Sequence, residues 1–148
     1  MDNKTRIITI ILMILLISIY IGLKVFSDKP NIEYKDNQII YKKVKYDDIA
    51  QIYLTDFIET TVNNRKDAYD LLDNNYKRTL GTFDDFNNLL NELENENYYN
   101  VTLSSYYIKE DNNYRFFFIK DSNGRTYVFK EKGIMDYTVY LDENTVES

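Results

Sequence analysis

The chain has 148 residues, with 24 Asp and Glu against 18 Lys and Arg, and neither Cys nor His. That length holds one ordinary domain and one further segment. The missing residue types exclude disulfides, thiol-linked lipids, His or Cys metal sites, and Ser-His-Asp or Cys-His catalytic sets.

From Asp28 onward, 15 Lys and Arg face 23 Asp and Glu, a net charge of −8. A nucleic-acid binder needs surplus cations to displace counterions from phosphates, so nucleic acid is not an expected partner. Carboxylate sites for calcium or magnesium stay open in principle, but no D-x-[DN]-x-[DN]-G loop is present. No metal and no cofactor is expected. The bias toward Asn, Lys, Ile and Tyr, with four Gly and one Pro, fits an AT-rich bacterial genome.

The first element is an apolar run. Ile7 to Leu23 carries no charge, and Lys24, Val25 and Phe26 extend it to residue 26. About 20 residues at 1.5 Å rise match a hydrocarbon core of roughly 30 Å. The run has no polar stripe, as an amphipathic core helix would. It ends in Lys-Val-Phe-Ser-Asp-Lys-Pro, without the small residues of a signal cleavage site. It reads as an uncleaved anchor over residues 7–26, behind a short tail, 1–6. Lys4, Arg6 and the terminal amine lie nearest the membrane on one side, and Lys24, Lys29, Lys35, Lys42, Lys43 and Lys45 follow on the other. A long folded segment translocates despite its charges, so the favoured orientation keeps the tail inside and the rest outside.

Residues 27–46 read as a linker, broken from the span by Pro30. Ile39 to Val44 is a short strand or a stalk. Three helices are predicted next. Asp47 caps the first, and Ala50, Tyr53, Leu54, Phe57, Ile58 and Val62 form one helical face, with Asn63-Asn64 as the stop. The second runs from Asp67 through Ala68, Leu71, Leu72 and Tyr76 to Gly81. The third starts at Thr82 with Asp85 three residues on, and shows Phe83, Phe86, Leu89, Leu90 and Leu93.

Four strands are predicted after that. Tyr99 to Lys109 is followed by the turn signal "EDNN", then Tyr114 to Lys120. Asp121-Ser-Asn-Gly124 predicts a tight type I′ hairpin, because Asn and Gly tolerate positive φ. Arg125 to Glu131 returns, Gly133 marks a turn or bulge, and Ile134 to Asp142 is the last strand. Its Met135, Tyr137, Val139 and Leu141 share one face, opposite Asp136, Thr138 and Tyr140. The tail 143–148 is expected to fray. Helices followed by an antiparallel meander give an α+β domain over residues 47–142.

Two segments carry a resemblance. "AYDLLDNNYKRTLGTFDDFNNLL" resembles helices two and three of the NTF2-like (cystatin-like) superfamily, and "YRFFFIKDSNGRTYVFKEKGIMDYTVYLD" resembles its long paired strands. The resemblance implies three helices wrapped by a curved four-stranded antiparallel sheet, closed into a cone. A single span followed by such a domain is also similar to the VirB8-type components of conjugation and secretion machines. That implies a structural protein that assembles through the outer faces of its domain. The superfamily hosts many functions, so the fold alone fixes none.

The candidate sites follow from those strands. Tyr106, Tyr107, Tyr127 and Tyr137 either fill half-buried strand positions or line the open end of the cone around a small ligand. Phe116, Phe117, Phe118 and Ile119 form a strand apolar on both faces. Either the sheet curls over the outer face, or that face meets a second copy or another envelope protein. Asp136 and Asp142 flank Tyr137 and Tyr140, and an Asp with a Tyr can do acid–base chemistry when the Asp is buried. The alternation puts Asp136 opposite the main apolar face, which disfavours an enzyme. Glu92, Glu94 and Glu96 read as a solvated face, and Asn100-Val-Thr102 matches a glycosylation sequon that carries no meaning in most bacteria. The expectation is a membrane-anchored, non-catalytic interaction module, self-associating or part of an envelope assembly. The alternatives are an anchored small-ligand domain and an Asp/Tyr enzyme.

Overall fold

The computed structural model describes residues 2–27, 31–42, 48–95 and 98–146. Expectations that rest on Pro30, Val44, Asp47, Glu96, the side chain of Lys24 and the last two residues lie outside the described residues. The chain divides into two compact units, residues 1–30 and residues 31–148.

The first unit is one helix, α1, Asn3–Ser27. Within its segment Asn3–Leu23 an 18-residue stretch has a mean hydropathy of 2.5, and none of that stretch is buried in the protein. It is long and apolar enough to cross a membrane. Two of its few polar side chains turn back on the backbone. Thr9 Oγ1 donates to the Thr5 carbonyl at 2.8 Å and Ser18 Oγ to the Ile14 carbonyl at 2.9 Å. Both hydroxyls are thereby satisfied inside the helix, as an apolar solvent requires.

The second unit is α+β. Among its described residues are a six-stranded antiparallel sheet and four α-helices, against the four strands and three helices expected. The strands are β1 Asn31–Lys35, β2 Gln38–Lys42, β3 Leu103–Asp111, β4 Tyr114–Asp121, β5 Thr126–Gly133 and β6 Asp136–Tyr140. Each pairs with its neighbour in sequence. The two added strands come from the segment read as linker. They form a hairpin because Asp36 and Asn37 both take positive φ, 50° and 62°, the geometry of a type I′ turn.

The helices enter between β2 and β3. α2, Ile49–Asn63, is capped by Asp48, which accepts from the Ala50 N–H at 2.9 Å. Ala50, Tyr53, Leu54, Phe57 and Ile58 are buried, as the spacing predicts. The stripe ends at Thr61, however, and Val62 is 57% exposed. Thr61 is buried without cost because its hydroxyl donates to the Phe57 carbonyl at 2.8 Å.

The second expected helix is two. α3, Arg65–Leu71, starts two residues earlier than expected, on an Asn64 cap, and α4, Asn74–Leu80, starts on an Asp73 cap. Leu72 and Asp73 between them are extended and dock on β6. Leu72 bridges Val139, the Asp73 N–H donates to the Val139 carbonyl at 2.9 Å, and Asp73 Oδ2 accepts from Thr138 at 2.8 Å. Continuous periodicity from Ala68 to Tyr76 hides this break, because Leu72 is buried in either arrangement. Gly81 closes α4 at φ 107°, and Thr82 and Asp85 form the predicted capping box of α5, Phe83–Glu94.

Burial alternates along β4 from Phe117 to Asp121, whereas on β5 and β6 the cross-strand pair Val128 and Tyr140 on the other face is buried too. Phe117 and Ile119 of β4, Tyr127 and Phe129 of β5, and Tyr137 and Val139 of β6 are all buried. This inner face meets α2, with Tyr53 packed on Phe117, Phe129 and Tyr137 at ring distances of 5.6, 5.8 and 4.7 Å. The β4–β5 connection departs from the predicted turn. Only Gly124 has positive φ, 83°, and the Asp121 N–H donates to the Arg125 carbonyl at 2.9 Å. That is a three-residue loop with a left-handed Gly at its end. The tail is ordered further than expected, in a 3₁₀ turn at Glu143–Thr145.

Candidate functional site

Three places could carry function: the polar groups under the inner face, the aromatic outer face, and the β1–β2 hairpin.

The inner face holds four pairs of Tyr hydroxyl and carboxylate. Tyr53 donates to Glu131, Tyr106 to Asp48 at 2.9 Å, Tyr127 to Asp121 at 3.1 Å, and Tyr137 to Asp56. Glu131 and Asp121 are 4% and 1% exposed. Each is held by further donors. Arg115 gives Glu131 a bond from Nε at 2.8 Å and another from Nη2, and Asp121 Oδ1 takes the Asn123 and Arg125 N–H groups at 2.9 Å. Burial first, then the Glu131 bond, pushes Tyr53 up to about 12. Burial, then the carboxylate partner, raises Tyr106 and Tyr137 as well. Burial is also the largest cause at Tyr127. These phenols therefore stay protonated near neutrality, and each proton is committed to its carboxylate. Chemically they are struts that tie α2 and the sheet ends together.

The four candidate ligand tyrosines do not converge. Tyr106 stacks on Tyr41 at 4.8 Å, and Tyr137 lies in the core against Tyr53 and Phe129. Tyr107 is on the opposite face of the sheet. Tyr127 lines a cleft of about 480 Å³ with Tyr76, Tyr98, Leu89, Leu93 and Arg125. Burial, then the Asp142 charge, pushes Tyr76 up to about 12, and the Arg125 guanidinium lies 5.7 Å from the Tyr98 ring. The carboxylates singled out for acid–base chemistry lie elsewhere. Asp136 is exposed, and Asp142 caps the 3₁₀ turn. Among the described residues no three carboxylates gather as metal ligands would.

The "FFFI" strand divides its four residues between two faces. Phe117 and Ile119 are 0% and 1% exposed beneath the helices, so they are not surface residues. Phe116 and Phe118 are outside and half-buried. Tyr107 stacks flat on Phe118, rings 4.7 Å apart and 3° from parallel. Lys109 lies 5.0 Å from the Phe118 ring, and Lys130 lies 6.0 Å from Phe116 and 4.4 Å from Tyr114. The two ammonium groups thus sit over the outer aromatics, that of Lys130 also 3.8 Å from Asp73 Oδ2. Val146 lies in the same shallow hollow as Phe116 and Phe118.

The hairpin is the opposite case. Ile32, Tyr34 and Ile39 share a face with Tyr41, and are 43%, 77% and 43% exposed. Glu33 and Lys42 form an ion pair on the other face. The sequence reading offers Ile39 to Val44 as a short strand or a stalk but no strand at Asn31–Lys35, although "NIEYKDNQIIYK" alternates with period two about an Asp-Asn turn. The net-polar composition and the nearby Pro30 made that pattern read as linker. A second apolar surface sits at the β5–β6 turn, where Ile134 is 81% and Met135 49% exposed. Met135 has φ 61°, and its N–H donates to Tyr53 Oη at 3.1 Å. No family model, curated protein or solved structure matches this chain.

Proposed function

We propose that the chain is a single-pass, membrane-anchored interaction module without catalytic activity, its folded unit outside the cytoplasm, serving an envelope, secretion or conjugation assembly. In this reading the second unit is an NTF2-like cone extended by the β1–β2 hairpin, and α1 is the uncleaved anchor. The observation that carries it is the contrast between surfaces. Four buried tyrosine hydroxyls are each committed to a carboxylate, while Ile32, Tyr34 and Ile39 stand uncovered on a regular sheet. Uncovered apolar side chains on an ordered element are surface for another molecule.

The test is cross-linking in native membranes, followed by purification of the tagged chain and mass spectrometry of what is attached. Reproducible membrane or envelope partners, or a second copy, linked through residues 31–42 support the reading. Recovery of the folded chain alone, at native abundance, overturns it. A second reading rests on the cleft beside Tyr98 and Tyr127, which has the size of a small-ligand site. Under that reading, a compound bound by the purified chain loses affinity on Tyr127→Phe or Leu93→Trp.

A further inference from the structure

We infer that β1 is a self-association edge, through which two copies of this chain pair antiparallel around Tyr34. The inference rests on the reading of the chain as an interaction module and names its partner.

Three observations carry it. The first is the edge itself. β1 is the terminal strand of the sheet, and its outer side has no strand partner among the described residues. The two-residue turn makes Lys35–Gln38 a hydrogen-bonded pair, and alternation makes Glu33–Ile40 and Asn31–Lys42 the next ones. The N–H and C=O groups of Ile32 and Tyr34 therefore point outward from the sheet. Unpaired groups of this kind are a template for a further strand.

The second is the order of charges. Glu33 and Lys35 flank Tyr34 and lie on one face. A two-fold axis through Tyr34 sets Tyr34 against Tyr34 of the second copy as a hydrogen-bonded pair. It also sets Glu33 against the second copy's Lys35, and Lys35 against its Glu33. Opposite charges directly across an antiparallel pair are favourable, and like charges are not. A shift of one residue, centred on Glu33, would place two glutamates face to face. The sequence Glu-Tyr-Lys thus selects one register with itself.

The third is the apolar face. Tyr34, at 77% exposure, is the most exposed of the hairpin's large apolar side chains, and the two-fold places it beside its own copy. Close tyrosine pairs across strands are among the more favourable cross-strand contacts. A short strand of five residues makes a weak pair by itself. Confinement of both copies to one membrane raises their effective concentration enough for a weak pair to form.

The chain has no cysteine, so single cysteines report the register directly. The full-length chain in membranes is given one cysteine at a time and oxidised mildly. Tyr34→Cys is expected to give a disulfide-linked dimer at least about ten times more readily than Val62→Cys on the exposed side of α2, because paired Cα atoms lie within disulfide reach. Glu33→Cys and Lys35→Cys are each expected to cross-link poorly alone and well when co-expressed. Charge reversal gives a second readout without cysteines. Glu33→Lys and Lys35→Glu chains should each associate about tenfold more weakly than the natural chain, and their mixture should recover. Recovery on mixing also shows that both variants fold. Equal cross-linking at positions 34 and 62, or no recovery on mixing, overturns the inference. If Tyr34→Cys instead links to a different membrane protein, self-pairing fails and the interaction-module reading stands. If it links to nothing, and native cross-linking also recovers the chain alone, both fail.

Discussion

Replacing Tyr53 by Phe removes one oxygen from the centre of the second unit and tests whether the inner tyrosines act as struts. Tyr53 is 0% exposed, and its hydroxyl makes two bonds. It donates to Glu131 and accepts the N–H of Met135 at 3.1 Å. The ring, with its contacts to Phe117, Phe129 and Tyr137, is kept in the variant. The loss is therefore confined to hydrogen bonding. A bond to a charged acceptor contributes about 1.5–3 kcal/mol, and leaving the Met135 N–H without its partner costs about 1 kcal/mol more. Glu131 keeps Arg115, which limits the damage on that side. The expected total is about 2–4 kcal/mol, or a fall in Tm of roughly 10 °C for a unit of this size. The assay is thermal unfolding of the full chain in lipid nanodiscs, followed by circular dichroism. Tyr107→Phe, on the half-buried outer face, is the control and should shift stability by less than about 0.5 kcal/mol. A Tyr53→Phe variant as stable as the control would refute the strut argument.

Gly81→Ala should destabilise the unit by about 1–3 kcal/mol in urea unfolding, since φ is 107° and a Cβ there would lie 2.4 Å from Asp85 Oδ2, inside the capping box. Phe117→Asp should abolish the cooperative transition, whereas Phe118→Asp, on the outer face, should leave a folded chain; an unfolded Phe118→Asp would contradict the assignment of faces. Alkali should loosen the fold between about pH 10 and 12. Tyr53 and Tyr76 titrate near 12 when folded and near 10 when unfolded, so their contribution is complete below pH 10 and is lost as pH rises through 12, which phenolate absorbance and circular dichroism together will follow. Acid should act on the α3–α4 junction. Burial raises Asp73, but bonds from Asn75, Thr138 and Tyr140 and the Lys130 charge outweigh it and hold the group below its usual range. Its contribution is present above about pH 4 and is lost as pH falls through the lowered value. Amide exchange at Asp73 should accelerate there, and Asp73→Asn should remove the pH dependence.

Much of this architecture is legible because the chain states it more than once. The α2 face from Ala50 to Ile58 follows a 3.6-residue period, and the Thr82–Asp85 box marks the start of α5 by residue type and spacing together. β4 is legible as a strand, and its double apolar face is real. What the sequence does not carry is the covering of that face by Lys109 and Lys130, which depends on strand register. Three-dimensional pairing also decides the break at Leu72-Asp73, because its reason lies at Val139, 67 residues away. The β1–β2 hairpin is a different kind of miss. Ile39 to Val44 reads as a strand or a stalk, but the five residues of β1, with charged members beside Pro30, compete poorly against a linker reading, and without β1 the pairing is not visible. The candidate tyrosines were legible as strand residues and not as a site, since the partner carboxylates Asp48 and Asp56 come from α2, far away in sequence.

The two edges of the sheet are treated differently, and this bears on how far any assembly can extend. At β6, Leu72 and Asp73 occupy the backbone groups of Val139 and the Thr138 hydroxyl, so a foreign strand finds that edge taken. At β1 no such guard exists among the described residues. A sheet with one open edge can accept a single neighbour, and when that neighbour is its own copy the two open edges use each other up. Strand addition then stops at two chains. The same chemistry with both edges open would continue into a fibre; the small discontinuity between α3 and α4 would keep such a pairing finite.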